Sequence, residues 1–285
     1  MNAKINIVGV PEHFNLPWHL AFEEGAFLER GINLEWTDVP EGTGKMARML
    51  ESGEADMAVI LTEGLIKAIS GGLRALIAQE FIASPLLWGV HVHSSSPIEQ
   101  EKDLRGKTAA ISRYGSGSHL MAFVHGRQMD WPLDILKFKV VNTLEGAVAA
   151  LAHGEADYFM WERFTTQPLV DKAIFRRVGQ IPTPWPCFVI AVREAFASEH
   201  ATVLRHILEI INTFTREFKD IPSIDRTLSN RYGQKIEAIR QWLDCTRWSQ
   251  EQISTEEINI VIDTLSNLNL LSNNISAEDL LLKDK

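Results

Sequence analysis

Cysteine is scarce in this chain: two among 285 residues, Cys187 and Cys245, far apart and in no CxxC or Cys/His spacing. That excludes a disulfide framework and leaves a structural zinc site without support, so both read as buried thiols. Long apolar runs are missing too. No segment approaches the ~18 to 20 residues needed to span a bilayer, and no transmembrane segment is expected. The N-terminus lacks the basic-then-apolar layout of a secretory leader, because Met1 to Ile5 runs directly into Ile5-Asn6-Ile7-Val8-Gly9-Val10, which reads as a strand. On the sequence as given the expected location is the cytoplasm, or the periplasm where a leader has been removed.

Positive charge is also short. With 28 Lys+Arg against 37 Asp+Glu the formal net charge is −9, which offers no global basic field for phosphate backbones and argues against nucleic acid as the main partner. A local cationic or dipolar pocket stays open. Signatures of chemistry are absent in turn. Gly42-Thr43-Gly44-Lys45 invites a phosphate-loop reading, but a Walker loop needs Gly where Val39 stands. His91 and His93 share one face of a strand, yet no carboxylate lies at a metal-binding interval, and hinge packing is the better reading. Gly115-Ser116-Gly117 is too short for a nucleophile elbow. The expectation is therefore no catalytic residue, no metal and no cofactor.

What is present is a globular composition: 45% apolar, 23% charged, with ordinary Gly and Pro usage. The length suffices for two lobes. Leu50-Glu51-Ser52-Gly53-Glu54-Ala55-Asp56 recurs as Leu151-Ala152-His153-Gly154-Glu155-Ala156-Asp157, an offset of 151 − 50 = 101 residues. The same offset carries Ile7 to Val10 onto Thr108 to Ile111, Asn33 to Val39 onto Asp134 to Val140, and Leu86 to Val90 onto Cys187 to Ala191. Two similar halves follow. Each reads strand, loop, helix, strand, helix, strand, the alternation of a mainly parallel sheet.

In the first half the predicted elements are the opening strand, a helix over Trp18 to Arg30 ended by Gly31, a strand over Leu34 to Val39, a helix over Lys45 to Ser52 and a strand over Asp56 to Leu61. The second half gives strand 108 to 112, helix 118 to 128, strand 134 to 141, helix 143 to 153 and strand 157 to 161. After about residue 193 come amphipathic helices, led by His200 to Phe218 with apolar residues near period 3.6, then 224 to 231, 234 to 244 and 254 to 268. The terminal Leu280 to Lys285 receives no function.

This is an α/β architecture: two similar Rossmann-like lobes around a hinged cleft, with a helical C-terminal tail. The expected division is 1–90 and 188–285 for the first lobe and 91–187 for the second. In such folds ligands sit beyond the carboxyl ends of the strands, where helix N-termini point their free N–H groups. The loops at those ends supply the candidate ligand-binding residues: Phe14, Asn15 and Trp18; Thr43 and Gly44; Thr62 and Glu63; Ser112, Arg113, Tyr114, Gly115, Ser116, Gly117, Ser118 and His119; Asn142; and Trp161 with Glu162. Ser112 to His119 is the sharpest signal. Its glycines permit a tight turn, while serine hydroxyls and the N–H groups of the following helix suit a carboxylate, sulfonate, phosphate or nitrate oxygen. Trp161 can cover an apolar ligand body and Glu162 can accept hydrogen bonds. Packing is the competing role for Phe14, Trp18 and Trp161, an N-cap that for Ser116, and an interlobe ion pair that for Glu162.

Gly25 to Trp36, the Gly-Thr-Gly turn and Leu50 to Val59 together resemble the first lobe of type II substrate-binding proteins of the aliphatic sulfonate, taurine, nitrate and thiamine-pyrimidine transporter group. Leu104-Arg105-Gly106-Lys107-Thr108-Ala109-Ala110 with the Ser/Gly loop resembles the start of their second lobe, and Ala156 to Glu162 resembles their strand carrying a Trp-Glu pair. The chain departs from the group in lacking a leader or lipoprotein cysteine and in carrying Arg163 where Pro often follows Trp-Glu. It also lacks the cysteine-rich motif of the yeast thiamine-pyrimidine synthase branch. The resemblance covers roughly residues 5 to 195. It implies a monomeric, non-enzymatic protein that clamps a small anionic organic molecule between its lobes, with an ABC permease as partner. The rival from another class is a cytoplasmic enzyme on the same fold, such as the menaquinone-pathway dehydratases and lyases.

Overall fold

A computed structural model describes residues 4–283 of the chain; Asp284 and Lys285, the end of the unassigned C-terminal hexapeptide, lie outside them, as do residues 1–3. In chain order the elements begin β1 (Ile5–Gly9), α1 (Leu16–Glu23), α2 (Ala26–Glu29), β2 (Leu34–Asp38), α3 (Thr43–Ser52), β3 (Met57–Leu61), α4 (Thr62–Ser70) and β4 (Ala75–His93). They continue with β5 (Thr108–Ile111), α5 (Gly117–Gln128), β6 (Lys137–Val140), α6 (Leu144–Ala152), β7 (Tyr158–Glu162), α7 (Gln167–Asp171) and β8 (Phe175–Arg193). Six helices close the chain: α8 (Glu194–Glu199), α9 (Ala201–Glu217), α10 (Ile224–Tyr232), α11 (Ile236–Cys245), α12 (Thr255–Asn267) and α13 (Ala277–Leu280).

The chain forms two compact units, one running to Pro85 and resuming at Pro184, the other Leu86–Thr183. The 19-residue strands β4 and β8 carry the backbone from one unit to the next. In the first unit β1 pairs in parallel with β2 and with β3, and β3 pairs antiparallel with β8, Met57 opposite Val192 and Leu61 opposite Phe188. The second unit repeats that plan. There β5 pairs in parallel with β6 and with β7, and β7 pairs antiparallel with β4, Trp88 opposite Glu162 and His91 opposite Phe159. Two parallel pairings and an antiparallel pairing to one of the long strands thus recur in both units.

The sequence echo has a physical cause in both units. Gly53 and Gly154 end α3 and α6 with positive φ, 78° and 70°, a conformation that costs glycine least. Three residues after each glycine stands an aspartate, Asp56 or Asp157, immediately before the next strand. The Asp56 carboxylate accepts the Asn6 N–H at 3.0 Å, and that of Asp157 accepts the Thr108 N–H at 2.7 Å. The backbone N–H groups of the two aspartates return bonds to the Asn6 and Thr108 carbonyls, both at 2.8 Å. Gly-Glu-Ala-Asp is thus a clip joining helix, turn and central strand.

The central strands are covered on both faces, which is why β3 reads Met-Ala-Val-Ile-Leu with its first four residues fully buried. The second unit packs Ala110, Ala147, Ala150, Leu151, Phe159 and Phe175 into one cluster, with Trp161 against its edge. In the first, α9 buries Leu204, Ile207 and Ile211 on one stripe, as its period requires.

Several features differ from expectation: Cys187 is buried as expected, but Cys245, at the end of α11, is exposed. The helix predicted over Trp18 to Arg30 is two, α1 and α2, broken at Gly25 with φ 73°. Residues 134 to 141 are a short 3-10 turn, Leu133–Ile135, followed by the four-residue β6. Helix α4 was unforeseen, so Thr62 and Glu63 belong to its first turn and not to a loop. The strands read at 86 to 91 and 187 to 192 are parts of the much longer β4 and β8. Leu281 bridges to Ile77, which docks the start of the terminal segment.

Candidate functional site

In the second unit β5 ends at Ile111, and Ser112 to Ser116 lead into the 12-residue α5. Gly115 has φ 75°, which lets the turn close. Three serines interlock there. The Ser112 N–H donates to Ser118 Oγ at 3.0 Å, Ser116 Oγ donates to the Arg113 carbonyl at 2.7 Å, and Ser116 and Ser118 Oγ lie 3.1 Å apart. Ser116 is the N-cap, accepting the His119 N–H at 3.4 Å. The Gly115 N–H donates to His119 Nδ1 at 3.1 Å, so that nitrogen is the acceptor of the ring. Asn142, in a left-handed conformation at φ 63°, donates its N–H to the Ser112 carbonyl at 3.0 Å. The structure therefore gathers Ser112, Arg113, Tyr114, Gly115, Ser116, Gly117, Ser118, His119 and Asn142 into one cluster. Its serines and His119 are buried, and Arg113 and Tyr114 are exposed. A helix N-terminus framed by hydroxyls and an exposed guanidinium is an environment for negative charge.

Trp161 and Glu162 close the neighbouring strand β7. Trp161 is half-buried, stacked on Phe159 with ring centroids 5.4 Å apart and edge-on to Trp88 at 6.4 Å. The Glu162 carboxylate is buried and accepts the Thr165 N–H at 2.6 Å. Burial pushes its pKa up, opposed by the backbone N–H groups of Phe164 and Thr165 and by Arg177. Behind it is a polar group that sequence reasoning missed. Thr166 Oγ1 lies 3.0 Å from His91 Nε2, and Arg177 donates to the Arg163 carbonyl and to Gln167 Oε1, both at 2.9 Å. His91 is buried there, its pKa lowered to about 3 by desolvation and then by Arg177.

The first unit assembles a second set. A Cβ on Gly64 would collide with the Thr43 methyl, so the glycine lets the first turn of α4 lie against that of α3. Thr43, Gly44, Thr62 and Glu63 come together in this way. Thr62 Oγ1 donates to the Pro186 carbonyl at 2.6 Å, and Trp185 Nε1 donates to the Glu63 carboxylate at 2.9 Å. Desolvation lifts the Glu63 pKa to about 7, against the pull of its own backbone N–H and the Trp185 indole. Trp185 was not among the expected site residues, since 122 residues separate it from its partner.

Phe14, Asn15 and Trp18 serve the interior of the same unit. Phe14 packs edge-on to Trp242 at 5.2 Å and its carbonyl accepts the Trp248 indole N–H. Asn15 donates to the Val10 carbonyl at 2.8 Å and is fully buried. Trp18 is fully buried among Phe27, Trp36 and Phe81. Among the described residues no group of three or more His, Cys, Asp and Glu is placed to hold a metal ion, and no helix is long and apolar enough to cross a membrane.

With that geometry in hand, comparison with solved structures defines the class. The CA3427 gene product of Candida albicans, described as defining a new family with the generic periplasmic binding protein fold, superposes with a TM-score of 0.90 at 24% identity, covering 99% of this chain and 97% of that one. The alkanesulfonate-binding protein SsuA of Xanthomonas axonopodis pv. citri, bound to MOPS, gives 0.83 at 15% identity over 99% of both chains. The periplasmic aliphatic sulphonate binding protein SsuA of Escherichia coli gives 0.78 at 15% identity, covering 100% of this chain and 94% of that one. The fold is therefore that of the type II periplasmic binding proteins, as the sequence resemblance implied. More particularly, residues 88–181 match the family model described as Ca3427-like PBP. None of the curated proteins matches the chain.

Proposed function

We propose that this chain is a substrate-binding protein for a small anionic organic molecule, held through its charged group at the Ser112–His119 turn. The observation that carries the reading is the serine cluster at the start of α5, where Ser116 caps the helix and Ser118 ties it back to Ser112. Helix dipole, hydroxyls and the exposed Arg113 all favour an anion there in a chain whose net charge is −9. SsuA bound to MOPS supports a sulfonate as the first class to try, with carboxylates and pyrimidine-like acids next. Delivery to an ABC permease belongs to the same reading and is supported by a Staphylococcus aureus relative described as the ligand-binding component of an ABC-type import system.

The test is a thermal-shift screen of sulfonates, carboxylates, nitrate and pyrimidines. At a hundred times Kd a ligand stabilises the fold by ~2.7 kcal/mol, enough to raise the melting point by several degrees in one-step unfolding. A melting point unmoved by every anion sinks the proposal. One observation favours the rival enzyme reading: a buried Glu63 with a pKa of about 7 could exchange a proton at neutral pH. Mass spectrometry of ligand after incubation separates the two, since a binding protein returns its ligand unchanged.

A further inference from the structure

Among the described Phe, Trp and Tyr residues, Tyr114 alone is largely exposed, at 67%. Single exposed apolar side chains are ordinary; the support and position of this one are not. It stands immediately before Gly115, in the turn that leads to the Ser116 cap. Its ring meets His119 at 5.3 Å and Phe138 at 6.3 Å, both at an interplanar angle of 80°. His119 is wedged in turn against Phe138 at 4.7 Å and Phe123 at 4.9 Å, and the Gly115 N–H fixes its Nδ1. The tyrosine is thus braced from behind by perpendicular aromatic contacts, while most of its surface remains open to solvent. Bracing reduces the rotamer freedom a ligand would have to remove on binding.

We infer that Tyr114 is the specificity-determining residue of the site, a platform for a planar or aromatic body attached to the anionic group. The inference rests on the anion-binding reading above and adds the substrate class: aryl or heteroaryl anions in preference to short aliphatic ones. A charged group at the Ser116–His119 turn places the rest of the molecule within reach of a side chain two residues from the cap. An offset or edge-on ring pair then adds attraction that an alkyl chain of two carbons cannot match.

Isothermal titration of the full chain with benzenesulfonate and with ethanesulfonate tests this, since the two share charge and headgroup. The wild type is expected to bind benzenesulfonate about ten-fold more tightly. Tyr114→Ala should erase that preference and Tyr114→Phe should keep it. Equal affinities in the wild type, or a preference that survives in Tyr114→Ala, overturn the platform and leave the anion site standing. If neither sulfonate binds the folded wild type, the anion-binding reading falls and the platform falls with it.

Discussion

The indole N–H of Trp185 donates to the carboxyl group of Glu63 at 2.9 Å, both side chains being almost completely buried in the same unit. Two neutral donors, this indole and the backbone N–H of Glu63 itself, do not compensate a buried negative charge, and desolvation raises the Glu63 pKa from 4.5 to about 7. Because the folded value lies above the ordinary one, this group's stabilising contribution is complete below pH 4.5 and is lost as pH climbs to about 7. The loss is roughly 3 kcal/mol. Glu63→Gln keeps an oxygen acceptor for Trp185 and cannot ionise. Melting curves from pH 5 to 8 should therefore show the wild type losing several degrees relative to the variant. Parallel curves would show that Glu63 is solvated well enough to ionise normally.

The echo was legible because it is local: glycine in a left-handed cap, then an aspartate clipping the next strand, at Asp56 and again at Asp157. Strand and helix periods did the rest in both halves. The misses have a common origin in contacts between distant residues. The strand read at 187 to 192 extends back through Pro182, Pro184 and Pro186 as part of β8, because tertiary pairing overrides local preference. The candidate loops were visible from their Gly and Ser content, whereas Trp185, Thr166 and Arg177 joined polar clusters through partners that sequence order does not reveal. Trp18 carried the opposite ambiguity, since an aromatic near a strand end looks alike whether it faces ligand or core.

Two N-caps of the second unit separate binding from folding. Ser116 Oγ caps α5 and Thr143 Oγ1 caps α6, accepting the Gly146 N–H at 3.1 Å. Replacing either by Ala should cost about 1 kcal/mol of stability. Anion affinity should fall only for Ser116→Ala, since Thr143 lies outside the serine cluster. Denaturant unfolding and titration with a sulfonate on both variants check this, and an equal loss of affinity would reduce Ser116 to a purely structural cap.

Trp18 and Trp161 should respond unequally to truncation. Trp18 has no exposed surface, and Trp18→Ala is expected to destabilise by about 3 to 5 kcal/mol, close to unfolding the chain at 37 °C. Trp161 is half-buried at the end of β7, so Trp161→Ala should cost about 1 to 2 kcal/mol and leave the circular dichroism spectrum intact. If it also weakens an organic ligand, the side chain contributes to binding; unchanged affinity returns Trp161 to packing alone.

His125 contributes to the acid limit. It is 1% exposed on α5, with neither ring nitrogen paired among the described residues and Trp131 packed 4.9 Å away. Desolvation lowers its pKa from 6.5 to about 4. A lowered base pKa gives stability that is complete above pH 6.5 and lost as pH falls to about 4, by roughly 3 kcal/mol. His13 and His91, each lowered to about 3 by burial, act in the same direction. His125→Leu removes one of these protonation sites and two unpaired polar atoms while filling similar space. It should raise stability at pH 7 by about 1 kcal/mol and move the midpoint of acid unfolding to lower pH, read by tryptophan fluorescence. An unmoved midpoint would mean that the ring is hydrated in solution and already protonates near its ordinary value.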